Sequence, residues 1–187
     1  MKYISLLAVI LACYSCQSAP EKQVGKTEFI STKQALNPLP KLSLDSLWQE
    51  LAFARGGCLT GGQYVRDGRF GRGECVMARS KGWKAFFSAD EEQLSQFLLA
   101  QFSDTSHTQI HTCPFENATV GELAVYSLQN LYRVNWFDLD AFTRYRDKEI
   151  TSGTDNHQNW LQQILADDDQ RQQLKEAWLE EELKQTR

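Results

Sequence analysis

Two imidazoles and a thiol crowd one short stretch, Ser106-His107-Thr108-Gln109-Ile110-His111-Thr112-Cys113-Pro114. In an extended segment, side chains two and four residues apart share a face. His107, His111 and Cys113 can therefore all point one way and offer nitrogen and sulfur donors to zinc or copper. The trio lacks a fourth ligand nearby, and three such residues in a polar loop commonly serve no metal. A Cys113–His111 nucleophile and base pair is weaker, since neighbours on one strand face need not meet. The expectation is no cofactor and no catalysis, with an envelope hydrolase or a metal-binding protein using His107, His111 and Cys113 as the alternative.

The carboxylates offer no stronger set. Glu122 suits a helix start, Asp138 and Asp140 flank Leu139 in a turn or helix start, and Asp167 to Asp169 suit a helix terminus. Neither calcium-loop spacing nor a paired acid on a recognisable scaffold is visible.

Residues 56–75 hold seven of the eleven glycines. Gly57 and Gly62 have the phosphate-loop spacing, yet Gln63-Tyr64 stand where Lys and Ser or Thr belong. Gly71-Arg72-Gly73 lacks the third glycine of a dinucleotide fingerprint. What remains is charge. Between Arg55 and Lys84 lie seven cations, Arg66, Arg69 and Arg72 among them, against Asp67 and Glu74, in a chain of formal charge −4. They suggest a surface for an anionic partner, such as an acidic protein face, a polysaccharide or lipid headgroups. The competing reading is a solvated glycine-rich hairpin with scattered arginines. The acidic balance of the whole chain argues against nucleic acid.

At the start, Lys2 precedes an apolar run from Tyr3 to Ala12, followed by Cys13-Tyr14-Ser15-Cys16. That run is too short to span a hydrocarbon core of about 30 Å as a helix, so it reads as a cleaved targeting segment. The run, a small residue and then a cysteine resemble the signal of bacterial lipoproteins. The resemblance implies cleavage after residue 15 and acylation of Cys16, with Cys13 as the alternative and an ordinary secretory cut near Ser18 or Ala19 as a third course. Gln17 after the cysteine implies an outer-membrane destination facing the periplasm, with the lipid as the membrane contact. Residues 16–41 then form an acylated cysteine and a tether containing Pro20, Pro38 and Pro40. Residues 42–187 form one domain.

Export makes disulfides durable. Cys58 and Cys75 bracket the glycines, and a bond between them would close a loop worth about 3 kcal/mol by chain entropy. Cys113 is then left over, although its pairing with either stays open.

The elements that must position these residues are helical. Ser43 caps a stripe of Leu44, Leu47, Trp48 and Leu51 that Gly56-Gly57 stops. Ser88 or Asp90 opens a second helix through Leu94, Phe97 and Leu98. Thr119-Val120-Gly121-Glu122 is a capping box ahead of Leu123, Ala124, Leu128, Leu131 and Tyr132. Trp160, Leu161, Ile164 and Leu165 make another stripe, and Asp167 to Asp169 open a last helix through Leu174, Ala177, Trp178 and Leu183. No strand-rich region competes. The expected fold is mainly α, an irregular array of packed helical hairpins with a glycine-rich, disulfide-closed loop. Its aromatic residues are expected to be core. The function expected is that of a lipid-anchored envelope protein, a binding or accessory and inhibitory module whose partner is another envelope protein or an anionic ligand.

Overall fold

Ser43 opens the first helix as its residue type requires, its Oγ accepting from the Ser46 amide at 3.2 Å. The helix, α1 (Leu44–Gln49), widens into a π-helical turn over Glu50–Arg55 and stops at Gly56, whose φ is 63°. A Cβ at Gly56 would come within 2.6 Å of the Gln109 carbonyl oxygen, so glycine alone permits this approach. The computed structural model describes residues 42–59, 63–65, 77, 80–112 and 116–185. All of them belong to one compact unit, Pro40–Arg187.

The approach at Gly56 begins a three-stranded sheet in the order β1 (Gly57–Cys58), β2 (His107–Thr112), β3 (Glu116–Thr119). β1 runs parallel to β2, pairing Gly57 with Ile110 and Cys58 with His111, and β3 runs antiparallel to β2 with a register shift between His107 and His111. This corrects the expectation of helices without competing strands. The reason lies in composition: β2 alternates, with Thr108, Ile110 and Thr112 inward, but only Ile110 of its six residues is apolar. Threonine replaces the usual aliphatics, and its hydroxyl is satisfied within the sheet, Thr108 Oγ1 donating to Ala118 O at 2.8 Å.

The mainly helical class holds. Beyond the sheet come α2 (Lys81–Phe86), α3 (Glu91–Ala100), α4 (Val120–Tyr132), α5 (His157–Ala166) and α6 (Asp168–Gln185), with short 3₁₀ turns between some of them. Asp90, rather than Ser88, caps α3 by accepting from the Gln93 amide at 3.0 Å, while Ser88 Oγ bonds back to Lys84 O. Asn156 caps α5 and Asp167 opens α6.

Helix α4 is central. It packs against α3, α5, α6 and both longer strands, and eleven of its thirteen residues are buried. It takes the middle position because its apolar residues are joined by Glu122, Ser127 and Gln129, polar side chains that find partners inside the fold and need no solvent face. Gly121 admits the Phe102 carbonyl, which a Cβ would meet at 2.8 Å. Around α4, Trp48, Trp83, Phe86, Trp136 and Phe137 are buried, with Phe87 and Phe97 partly so. These aromatics are core, as expected. Among the described residues no helix is long and apolar enough to cross a membrane.

The expected signal, tether and lipidation sites Cys13 and Cys16 lie outside the described residues, as do Arg66, Arg69, Arg72, Cys75 and Cys113. Of the proposed Cys58–Cys75 pair only Cys58, exposed on β1, is described. The disulfide-closed loop thus gains no support from the fold.

Candidate functional site

His107 and His111 both project from the exposed face of β2, as their spacing of four requires. That spacing also keeps their Cα atoms about 13 Å apart, at 3.3 Å per residue. His107 Nδ1 turns toward Asn117 O at 3.4 Å. Among the described residues no group of three His, Cys, Asp or Glu side chains converges as a metal site. The trio with Cys113 is seen only through its two histidines. The strand register brings a different set side by side: Cys58, His111 and Asn117 occupy one row across the three strands.

A second cluster is buried. Glu122 is fully removed from solvent. It closes the capping box, accepting from the Thr119 amide at 2.8 Å through Oε2, while Thr119 Oγ1 accepts from the Glu122 amide at 3.2 Å. Gln162 Nε2 of α5 donates to Oε1 at 3.2 Å. Burial pushes its carboxyl pKa up, and these donors oppose the shift. One turn on, the buried Tyr126 hydroxyl is likewise raised, by desolvation first and by Tyr64 and Glu122 next. The neighbouring amide of Gln158 donates to Thr112 Oγ1 at 2.6 Å, tying α5 to β2. Glu122 is spent on holding helix α4, strand β3 and helix α5 together. It has no open face on which to meet a substrate.

His157, the third histidine, opens α5 against the Phe137 ring, 4.2 Å between centroids. Its Nε2 donates to Tyr145 O at 3.1 Å. Desolvation lowers its pKa, only partly offset by that carbonyl and by Asp138, so the neutral ring is favoured.

The third feature is the stem from which the arginine-rich segment departs. Gln63, Tyr64 and Val65 form no regular element, yet their backbone is held as a strand would be. Asn135 Oδ1 accepts from the Val65 amide at 2.7 Å and its Nδ2 donates to Val65 O at 3.1 Å. Gln129 Nε2 donates to Gln63 O at 2.5 Å, and Gln129 Oε1 accepts from the Trp136 amide at 2.8 Å. Between these two clamps the Tyr64 ring packs on Tyr126, Phe137 and His157, at 6.2, 6.0 and 6.0 Å. Asn135 is itself oriented by Asp138, which pairs with Arg146 at 2.6 Å.

Sequence reasoning missed Gln129 and Asn135 as positioning residues. The available signal was an amide inside the apolar stripe of α4, since a buried amide must find partners. Arg66 follows Val65 directly in sequence, with Arg69 and Arg72 beyond it, and all three lie outside the described residues. Compared with protein-family models, with curated proteins and with solved structures, the chain matches none.

Proposed function

We propose that the chain is a lipid-anchored protein of a bacterial envelope, acylated at Cys16 and acting as a non-catalytic binding or accessory module. In this reading the anchor is at the outer membrane facing the periplasm, and the partner is another envelope protein or an anionic ligand met by Arg66, Arg69 and Arg72. The observation that supports it best is the clamped stem Gln63–Val65. Two amide side chains and an aromatic socket fix the backbone immediately before the arginines, and recognition segments work best on rigid supports. The main buried acid is meanwhile consumed by a helix cap. A subtype is an inhibitory lipoprotein that shields the envelope from a toxin or hydrolase.

Two assays test this. Radiolabelled palmitate should enter the wild-type chain and the Cys13→Ser variant but not Cys16→Ser; label retained in Cys16→Ser would reject Cys16 as the site, and a wild-type chain without label would reject the anchor. Binding to an anionic polysaccharide or acidic protein should disappear in the triple variant Arg66→Ser, Arg69→Ser, Arg72→Ser.

A second reading, an envelope hydrolase or metal-binding protein, draws on the shared exposed face of His107 and His111. Zinc titration of the untagged chain tests it: tight stoichiometric binding lost in His111→Ala would favour it over the binding module.

A further inference from the structure

Only four large hydrophobic side chains are exposed among the described residues, and two of them, Leu179 and Leu183, stand one turn apart on α6 at 43% and 60% exposure. Both line one groove, about 810 Å³ in volume, between the end of α6 and the start of α3. The exposed Asp90, Glu91 and Glu92 border it, and the half-buried Glu182 lines its wall. Its walls are fixed: Ser95 Oγ of α3 donates to Glu182 Oε2 at 3.1 Å, and Gln185 Nε2 of α6 donates to Tyr132 O at 2.7 Å.

From this we infer that the α3–α6 groove is a docking site for a cationic amphipathic helix of a protein partner, whose apolar residues cover Leu179 and Leu183 while its lysines or arginines meet the rim. The inference rests on the binding-module reading and adds to it a site of opposite charge to the arginine segment. Charge decides between occupants. An anionic lipid surface would be repelled by the three exposed carboxylates. A second copy meeting the same patch about a twofold axis would set acid against acid, because such an interface is self-complementary. The helix α6 itself carries six carboxylates against three cations, so the repulsion extends along its length. A helix laid into a leucine-bearing groove, with opposite charge at its borders, covers the exposed leucines and meets the acidic border. The volume falls within the roughly 300–1,000 Å³ of usual binding sites.

The test uses the full-length chain and two synthetic helical peptides of one pattern, leucine with lysine and leucine with glutamate, read by fluorescence anisotropy at low salt. The leucine–lysine peptide should bind and the leucine–glutamate peptide should not. Leu179→Ser with Leu183→Ser should weaken binding at least about tenfold, since a helix in a groove is held through its apolar contacts. Glu91→Gln with Glu92→Gln should weaken it about threefold and flatten its salt dependence. Leu42→Ser with Ile150→Ser, which removes the other two exposed apolar side chains, should leave it unchanged. Circular dichroism verifies that each variant is folded. Equal binding of both peptides, binding that survives loss of the two groove leucines, or self-association abolished by that double variant would each overturn the inference. The palmitate and arginine assays read the anchor and the arginine segment, so failure of the module reading shows there and failure of the groove shows here.

Discussion

The two ends of helix α4 treat carboxylates in opposite ways. At its start Glu122 is sealed from water and its two oxygens are met by the Thr119 amide and the Gln162 side chain. Near its end, across the groove between α3 and α6, Asp90, Glu91, Glu92 and Glu182 stand beside exposed leucines. A carboxylate removed from water must be given fixed donors, and those donors then have no other use. Asp90 and Glu182 also hold the fold, as a cap and through Ser95, whereas the exposed Glu91 and Glu92 carry their charge at the surface.

The sharpest way to break this contrast is at two adjacent residues of α6. Trp178 is fully buried and stacks on Tyr132 at 6.0 Å, whereas Leu179 is exposed in the groove. Trp178→Ala should cost about 3–5 kcal/mol in urea unfolding, and Leu179→Ser should stay within about 0.5 kcal/mol. Similar losses would show that the groove leucines belong to the core.

Next comes the clamp on the stem. Asn135→Ala strips both hydrogen bonds from the Val65 backbone and should destabilise by about 1–3 kcal/mol. It should also speed proteolysis beginning near residue 65, measurable by limited digestion and mass mapping. Unchanged cleavage would detach the stem from the function proposed for it.

Glu122→Ala should cost about 1–2 kcal/mol, as loss of a capping partner does. Glu122→Gln should cost less, because an amide oxygen still accepts from the Thr119 amide while the buried charge disappears. If both variants equal the wild type, the sealed acid is not the joint described above.

The smallest effects are in pH dependence. The raised pKa of folded Glu122 contributes stability that is fully present below the ordinary carboxylate value of about 4.3 and is lost as pH rises through the folded value. The stability of Glu122→Gln relative to wild type should therefore improve as pH rises above about 4. His157 has the opposite sign. Its lowered pKa contributes stability present above about 6.5 and lost as pH falls through the folded value, so the deficit of His157→Gln should shrink on acidification. Urea unfolding at three pH values checks both; parallel pH profiles for wild type and variants would refute the two burials.

Helix starts were largely legible in the chain. Ser43, Thr119 with Glu122, and Asp167 act within one turn of themselves, so type and spacing suffice. Where two caps competed, at Ser88 and Asp90, local pattern was insufficient, because Ser88 found the Lys84 carbonyl one turn back. The sheet was not legible. β1 is a glycine and a cysteine, and β2 presents threonines where an alternating strand would show aliphatics. Of the residues singled out for chemistry, His107 and His111 share the face their spacing implied, whereas the stem clamps passed unnoticed. Asn135 and Val65 are 70 residues apart, and no local pattern links them.

By itself, then, the sequence determined a mainly helical domain, most of its helix starts and an aromatic core, because capping and apolar periodicity act over a few residues. The lipoprotein-like opening and the arginine segment are likewise properties of the sequence, as proposals about address and partner. Only tertiary structure decided that Gly57 and Cys58 lie along β2, that Gln162 reaches Glu122 from 40 residues away, and that Leu179 and Leu183 stay exposed opposite the start of α3. Such contacts depend on which surfaces meet once the helices pack around α4, and packing is a property of the whole chain.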